Sequence, residues 1–181
     1  KNMAQQGVKV GMFSIEVKTE TVIFKLSSML SGSMGFEIPY STFRGITIPK
    51  EEHLDSFVET LKFLKNSNIY VNDSSRTTIS DLETEVRRFI KVNELDVLVI
   101  DHLGIVKNDT HTAMKRNDLL QHFSMRVAGL LKDCDVAGLI MLQLKRSQNN
   151  EMPTMDSLGE TSQYEKDAHL IYLLHQPDLQ E

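Results

Sequence analysis

Three polar side chains follow short apolar segments of the chain. Asp101 directly follows the apolar run Val97–Ile100, and Gln143 ends a second run of the same kind. Glu16 follows a segment, Val8–Ser14, that alternates apolar with small or polar residues and also predicts a strand. Runs this short, rich in β-branched residues, predict strands buried on both faces of a parallel sheet. Because open parallel sheets bind ligands at the carboxyl edge of their strands, the three side chains are expected to meet at one edge.

This set of groups suits the hydrolysis of a nucleoside triphosphate. One carboxylate must hold Mg²⁺, a second must orient or deprotonate the attacking water, and a neutral amide can contact the γ-phosphate. Asp101 suits the metal, Glu16 the base and Gln143 the γ-phosphate contact. Spacing alone leaves open the alternative that each side chain only caps a turn.

Alternating strands and helices are predicted to position these groups. Apolar runs predict five strands, over residues 8–14, 69–71, 95–101, 136–143 and 168–174. Helix-start signals followed by apolar periodicity predict helices that begin near residues 19, 49, 78 and 117. This order predicts an α/β fold with a mainly parallel β-sheet flanked by helices on both faces.

The composition is that of an ordinary globular domain. The 181 residues are 40% hydrophobic and 25% charged, enough for one sizeable core, and no apolar run approaches the length of a membrane-spanning helix. The single cysteine, Cys134, excludes an internal disulfide and a Cys-rich zinc site, and it favours a reducing compartment such as the cytoplasm. A net charge of −5 argues against wholesale wrapping by nucleic acid but permits a local basic loop.

Four segments of the chain resemble the motifs of hexameric DnaB-type replicative DNA helicases. Phe13–Val17 is similar to the family's Ser-Leu-Glu-Met segment, and Val99–Leu103 is similar to its Walker B strand, usually Ile-Asp-Tyr-Leu. Leu142–Arg146 resembles Ser-Gln-Leu-Asn-Arg, and Met155–Ala168 resembles Asp-Leu-Arg-Glu-Ser-Gly followed by Glu-Gln-Asp-Ala-Asp. Any one match would be weak, but four in the right order over nearly the whole chain are specific.

The resemblance implies a RecA-like motor domain that uses ATP and Mg²⁺. Glu16 then corresponds to the family's catalytic glutamate, Asp101 to its Mg²⁺-linked aspartate and Gln143 to its γ-phosphate-sensing glutamine, so all three would lie at the nucleotide. The polar segments after Asp101 and Gln143 correspond to the loops that line the pore of the ring and touch single-stranded DNA. The basic side chains available in those segments are Lys107, Lys115, Arg116, Lys145 and Arg146.

The resemblance also implies partners. Sequence-independent movement along a strand depends on phosphate contacts, which lysine and arginine supply, although any single one of these side chains could instead be a solvated surface charge. The implied partners are single-stranded DNA, further copies of the chain in a ring expected to be a hexamer, and a primase or helicase loader. No membrane partner is implied.

Several features depart from the family's pattern. The sequence contains no Gly-x-x-x-x-Gly-Lys-Ser/Thr phosphate loop and stops before the family's Lys-x-Arg finger. We therefore expect a single RecA-like domain over residues 1–181 that is truncated at both ends, begins about ten residues too late, and binds nucleotide poorly on its own. Gly159 replaces an arginine of the pore loop, and His169 and His175 stand where Asp and Arg are common, as in a divergent, phage-like member.

Two other functions stay open on the sequence. One is a RecA-like ATPase of the recombinase type, and the other is a degenerate, non-catalytic RecA-like module that acts as a loader or partner. A Gly-Lys-Thr/Ser segment encoded upstream would favour an enzyme. His102 could ligate a metal, but no second His or Cys stands at ligand spacing, so a histidine at a strand end is the simpler interpretation.

Overall fold

Four parallel strands form the centre of the fold. In the computed structural model, which describes residues 2–74, 78–102, 115–144, 152–158 and 162–175, they form one sheet in the order β2-β1-β3-β4. The strands are β1 (Val10–Ser14), β2 (Ile69–Asn72), β3 (Val97–Asp101) and β4 (Ala137–Ile140). All three pairings are parallel, so the carboxyl ends of the strands lie at one edge of the sheet.

Helices connect the strands, and their ends follow the local sequence. Gly7, with φ of +89°, ends the first helix in the left-handed conformation that glycine adopts without steric cost. The Thr78 side chain accepts a hydrogen bond from the Asp81 N–H and so caps the fifth helix. The helices are α1 (Asn2–Gln5), α2 (Thr19–Ser33), α3 (Tyr40–Phe43), α4 (Leu54–Lys65), α5 (Ile79–Asn93), α6 (Arg116–Asp133) and α7 (Gln163–Asp167), with 3₁₀ turns at Glu51–His53 and Met155–Leu158.

The larger core lies between one face of the sheet and helices α5 and α6. Alternate residues of β1 and β3 point to this face, as the two-residue period of a strand requires. Gly11 also faces this core, where a Cβ atom would lie 2.2 Å from Cδ1 of Leu95. The buried residues that form the core include Phe13, Leu98 and Ile100 of the sheet, Leu82, Val86, Phe89 and Ile90 of α5, and Phe123, Val127 and Leu130 of α6.

The opposite face of the sheet carries a smaller core. Val10 and Val99 pack there against Ala4 of α1. Helix α2 packs against α3 and α4, and the rings of Phe43 and Phe57 stack with their centroids 4.9 Å apart. Helices therefore cover both faces of a parallel sheet, which confirms the predicted α/β class. No helix in the described ranges is long and apolar enough to cross a membrane.

The predicted last strand is wrong. The residues from 168 to 174 have no regular secondary structure, and the side chains of Leu170, Tyr172 and Leu174 are exposed. An alternating apolar sequence shows only that a segment is able to form a strand. The strand forms only if a neighbouring backbone is available to pair with it. Among the described residues, no strand pairs with this segment.

The fourth strand also differs from its prediction. It was expected to be buried on both faces and to run to Gln143, but it ends at Ile140, and Leu139 is 46% exposed. Within the described residues β4 is an edge strand whose one neighbour is β3, so half of its backbone pairing is absent. Helix faces were predicted mostly correctly, although Met29 of α2 and Leu54 and Val58 of α4 are exposed.

Candidate active site

The pairing of β1 with β3 brings the two candidate carboxylates, Asp101 at the end of β3 and Glu16 two residues beyond β1, to the same edge of the sheet. Ser14, the last residue of β1, is the register partner of Asp101, the last residue of β3. The Ile15 N–H donates to the Asp101 carbonyl oxygen at 2.8 Å, which extends the pairing one residue beyond the strand. Glu16 and half-buried Asp101 therefore leave the sheet at the same edge, as the sequence predicted.

A tight turn presents Glu16. The Ser14 hydroxyl donates to the Val17 carbonyl oxygen at 2.7 Å and accepts the Val17 N–H at 3.2 Å. Because Ser14 is almost completely buried, these two bonds are shielded from water and fix the backbone between the two residues. The Glu16 side chain stands at the top of this turn and is 60% exposed, so its carboxylate is accessible to a ligand.

Two further side chains at this edge were not assigned roles from the sequence. The Thr19 N–H at the start of α2 donates to Oδ2 of Asp73 at 2.8 Å, so a carboxylate that follows β2 satisfies a free amide at the helix N-terminus. His102, which follows Asp101, places its Nδ1 atom 3.4 Å from Oε2 of Glu16. The sequence offered a signal for both, since Asp73 is a carboxylate close after a short strand and His102 stands at a strand end beside Asp101, but it did not indicate these contacts.

Gln143 lies on the segment that continues from β4. The Met141 N–H donates to the Ile100 carbonyl oxygen at 3.0 Å, which keeps this segment beside β3 just after the strand has ended. Gln143 follows two residues later and is exposed. The chain thus leaves β4 at the edge where Asp101 ends β3, with Gln143 outside the regular sheet rather than at the end of a strand.

The candidate DNA-contacting residues are only partly described. Lys115 is exposed and directly precedes α6, and Arg116 is the first residue of that helix, with its side chain outside the described part of the chain. The remaining three candidates, Lys107, Lys145 and Arg146, lie outside the described residues.

The carboxylates fit a hydrated Mg²⁺ ion better than a metal held by protein alone. Within the described ranges, no group of three or more His, Cys, Asp or Glu side chains could hold a metal ion. Mg²⁺ is commonly bound by one or two carboxylates and takes its other ligands from water and substrate phosphates. Asp101, at the open carboxyl edge of β3, supplies one such carboxylate, and Glu16 leaves the sheet at the same edge.

A cavity of about 320 Å³ lies at the other end of the sheet. Asn68 and Ile69, which line it, are at the start of β2, whereas the candidate active site lies beyond the strand ends. None of the predicted site residues lines this cavity, so its position does not bear on the chemistry at Asp101. Its other lining residues come from α1, α2, the end of α4 and the two residues that follow it, and are Ala4, Gln5, Leu26, Leu30, Phe63, Leu64, Asn66 and Ser67.

The structure defines an α/β domain with a parallel sheet whose β3 ends in Asp101 at the open carboxyl edge, and comparison with known proteins gives the family. The family model described as the DnaB-like helicase C terminal domain matches residues 1–181. This chain belongs to that family.

Curated relatives agree with the assignment, and a solved structure shares the fold. The chain is 25% identical over 118 residues to the replicative DNA helicase DnaB of Geobacillus stearothermophilus, covering 64% of this chain and 26% of that protein. It is 22% identical over 177 residues to a probable plasmid replicative DNA helicase of Chlamydia psittaci, covering 96% and 37% respectively. The solved structure of a DnaB-like replicative helicase, described with its interactions with primase, superimposes with a TM-score of 0.78 at 20% identity, covering 93% of this chain and 40% of that one. The chain therefore spans between 26% and 37% of the length of these two curated relatives.

Proposed function

We propose that the protein is an ATP-dependent replicative DNA helicase and that this chain supplies much of its motor domain. The observation that supports the proposal is the register pair Ser14 and Asp101, from which Glu16 and Asp101 leave the sheet at the same carboxyl edge. Membership of the DnaB-like helicase family supports the reaction class. The accessible edge supports the position of the nucleotide.

Each candidate residue has a distinct task in the proposed reaction. Glu16 orients the attacking water and takes its proton, for which its exposed carboxylate is suited. Asp101 holds Mg²⁺, which when bound neutralises charge on the phosphate oxygens. Gln143 contacts the γ-phosphate through its amide and responds when that phosphate leaves. Phosphate release is thereby connected to the segment after β4, which leads towards Lys145 and Arg146.

The basic residues after β3 and β4 would contact single-stranded DNA. Lys115 lies just before the first turn of α6, where unpaired backbone N–H groups add partial positive charge. The other candidates, Lys107, Arg116, Lys145 and Arg146, would add phosphate contacts of the same kind. Contacts to phosphates carry no base sequence, which suits a motor that must move along any strand.

The proposed assembly is a homo-oligomeric ring, with a hexamer expected, in which ATP lies between subunits. Such a head-to-tail ring makes each site depend on its neighbour. A primase or a helicase loader is the proposed protein partner, since a structurally similar helicase is described with its interactions with primase.

Duplex unwinding by the full-length protein tests the proposal. A forked DNA with a fluorophore and quencher on its two strands would report strand separation with ATP and Mg²⁺. We expect Asp101→Asn to abolish unwinding, because the amide cannot replace the charged metal ligand. Asp96→Asn is the matched control, since exposed Asp96 lies just before the other end of the same strand, where its carboxylate accepts the Lys9 N–H at 2.7 Å.

Unwinding that Asp101→Asn abolishes and Asp96→Asn leaves intact would support the motor assignment. Wild-type protein that separates no strands in the presence of ATP, Mg²⁺ and a forked substrate would contradict it. Equal loss in both variants would contradict the metal role given to Asp101.

A further inference from the structure

The Glu16 side chain needs a contact that fixes it. The turn from Ser14 to Val17 fixes the backbone of Glu16, but the side chain has three rotatable bonds and is 60% exposed. An exposed glutamate samples many rotamers, and ordering it costs conformational entropy. A general base must nevertheless stay within hydrogen-bond reach of the water that it activates. Without a second contact the carboxylate would occupy that position only part of the time.

His102 provides such a contact. Its Nδ1 atom lies 3.4 Å from Oε2 of Glu16, and its own side chain is only 18% exposed. The backbone that leads to it is held from both sides, since β3 lies between β1 and β4 and the Asp101 carbonyl oxygen accepts the Ile15 N–H. The imidazole is therefore the more buried partner and the carboxylate the more exposed one.

The contact requires a proton on Nδ1 of His102. Both the neutral tautomer with a proton on Nδ1 and the imidazolium ion carry a donor on that nitrogen. The contact is to Oε2, so it does not itself occupy Oε1, the other oxygen that could accept a proton from water. An interaction of this kind orients the base without consuming the oxygen that the reaction needs.

We propose that His102 is a positioning residue that holds the Glu16 carboxylate in place for the hydrolysis of ATP. The inference rests on the proposed function, because it gives Glu16 the role of base. It assigns His102 no contact with the substrate, so the step that His102 affects is turnover and not nucleotide binding. It also differs from a metal-ligand role, since no group of metal-binding side chains surrounds His102 within the described residues.

Substitutions that move or remove one donor test the inference in the full-length protein. Asn places an amide nitrogen close to the position of Nδ1, Gln places it one bond further out, and Phe fills the space of the ring without a donor. The measurements are kcat and KM for ATP at saturating single-stranded DNA, and the Kd of a fluorescent ATP analogue. Thermal unfolding and ring assembly of each variant show whether it is folded.

We expect His102→Phe to lower kcat about tenfold or more, as removal of an orienting partner commonly does. The KM for ATP and the Kd of the analogue should stay within about twofold of wild type, because binding does not use this contact. His102→Asn should recover more of kcat than His102→Gln. If His102→Phe does not fold, the comparison of Asn with Gln carries the test.

Two results would overturn the inference. One is a kcat for His102→Phe within about twofold of wild type, and the other is equal activity in the Asn and Gln variants. Glu16→Gln separates this failure from failure of the proposed function. If Glu16→Gln abolishes turnover while His102→Phe leaves kcat unchanged, the assignment of Glu16 as the base is supported and the positioning role of His102 is contradicted. If Glu16→Gln leaves turnover intact, the proposed mechanism, in which Glu16 is the general base, is contradicted.

The double variant adds a check that a merely structural effect would not pass. Once Glu16→Gln has removed the base, adding His102→Phe should lower kcat no further, because a partner of an absent base has nothing to orient. A further multiplicative loss in the double variant would show that His102 acts independently of Glu16.

Discussion

Ser14 and Asp101 are register partners at the ends of two adjacent parallel strands. The pairing joins segments that are far apart in sequence and sets which side chains leave the sheet together. Ser14 then turns the chain back through its bonds to Val17, and His102 follows Asp101 directly, so Glu16 and His102 approach each other. The candidate site is thus a consequence of strand register, and its precision depends on a few buried contacts.

The buried hydroxyl of Ser14 should matter for both folding and catalysis. Ser14→Ala removes one donor and leaves the Val17 N–H without its acceptor, which should lower the free energy of unfolding by about 1 to 2 kcal/mol. It should also lower kcat, because the turn that presents Glu16 loosens. Denaturant unfolding and ATP turnover measure the two effects.

Ser27→Ala is the matched control for this prediction. Ser27 is also buried, and its hydroxyl donates to the Ile23 carbonyl oxygen at 2.8 Å within α2, away from Glu16. We expect a comparable or smaller loss of stability with kcat unchanged. Equal losses of kcat in the two serine variants would contradict the role given to the turn.

Gly11 should not tolerate a side chain. An added Cβ would lie 2.2 Å from Cδ1 of Leu95 and 2.8 Å from Cε1 of Phe89, so the core beneath β1 would be overpacked. Gly11→Ala should lower the free energy of unfolding by about 1 to 3 kcal/mol, measured by denaturant titration. Gly32→Ala in α2, where a Cβ meets nothing within 4 Å, should be neutral or stabilising by up to about 1 kcal/mol. A stable Gly11→Ala protein would show that Leu95 and Phe89 can move aside.

Lys115 should contribute to affinity for single-stranded DNA but not to base preference. Lys115→Ala should weaken binding to all sequences alike, and the slope of log K against log salt should fall in magnitude by about 0.7 for each phosphate that the lysine no longer neutralises. Fluorescence anisotropy over a salt series measures both quantities. Lys62→Ala is the control, because it removes the same charge from an exposed position on α4, and the end of α4 leads to the opposite edge of the sheet. This variant should change neither the affinity for DNA nor its salt dependence. If Lys115→Ala changed the ratio of the affinities for oligo-dT and oligo-dA, the assignment of Lys115 to phosphate contacts would be contradicted.

The sequence was sufficient to predict the four strands that form the sheet and the edge at which Asp101 lies, for a physical reason. Val97–Ile100 is apolar, β-branched and too short for a helix, so a buried strand was the one structure that suited it, and Asp101 was then fixed at its end. Glu16 followed from the same reasoning. Both predictions depend on local patterns, which sequence expresses directly.

The contact between His102 and Glu16 could not be predicted in this way. It requires the register in which Ser14 meets Asp101, and a register slip of one residue would turn the side chains of the strand to the other face. The wrong strand at residues 168–174 failed for a related reason, since Leu170 and Tyr172 have a strand-like pattern but no described partner. Pairing is a property of two segments, and one sequence pattern describes only one of them.

The most direct test of the central claim is hydrolysis of ATP by the full-length protein with and without single-stranded DNA, in wild type, Glu16→Gln and Glu59→Gln. Glu59 is exposed on α4 and is the control for loss of one carboxylate. We predict that DNA stimulates hydrolysis in the wild type and in Glu59→Gln, and that Glu16→Gln loses about a hundredfold or more of kcat, within the range that general-base catalysis contributes. Hydrolysis that responds neither to DNA nor to the loss of Glu16 would contradict the proposed motor.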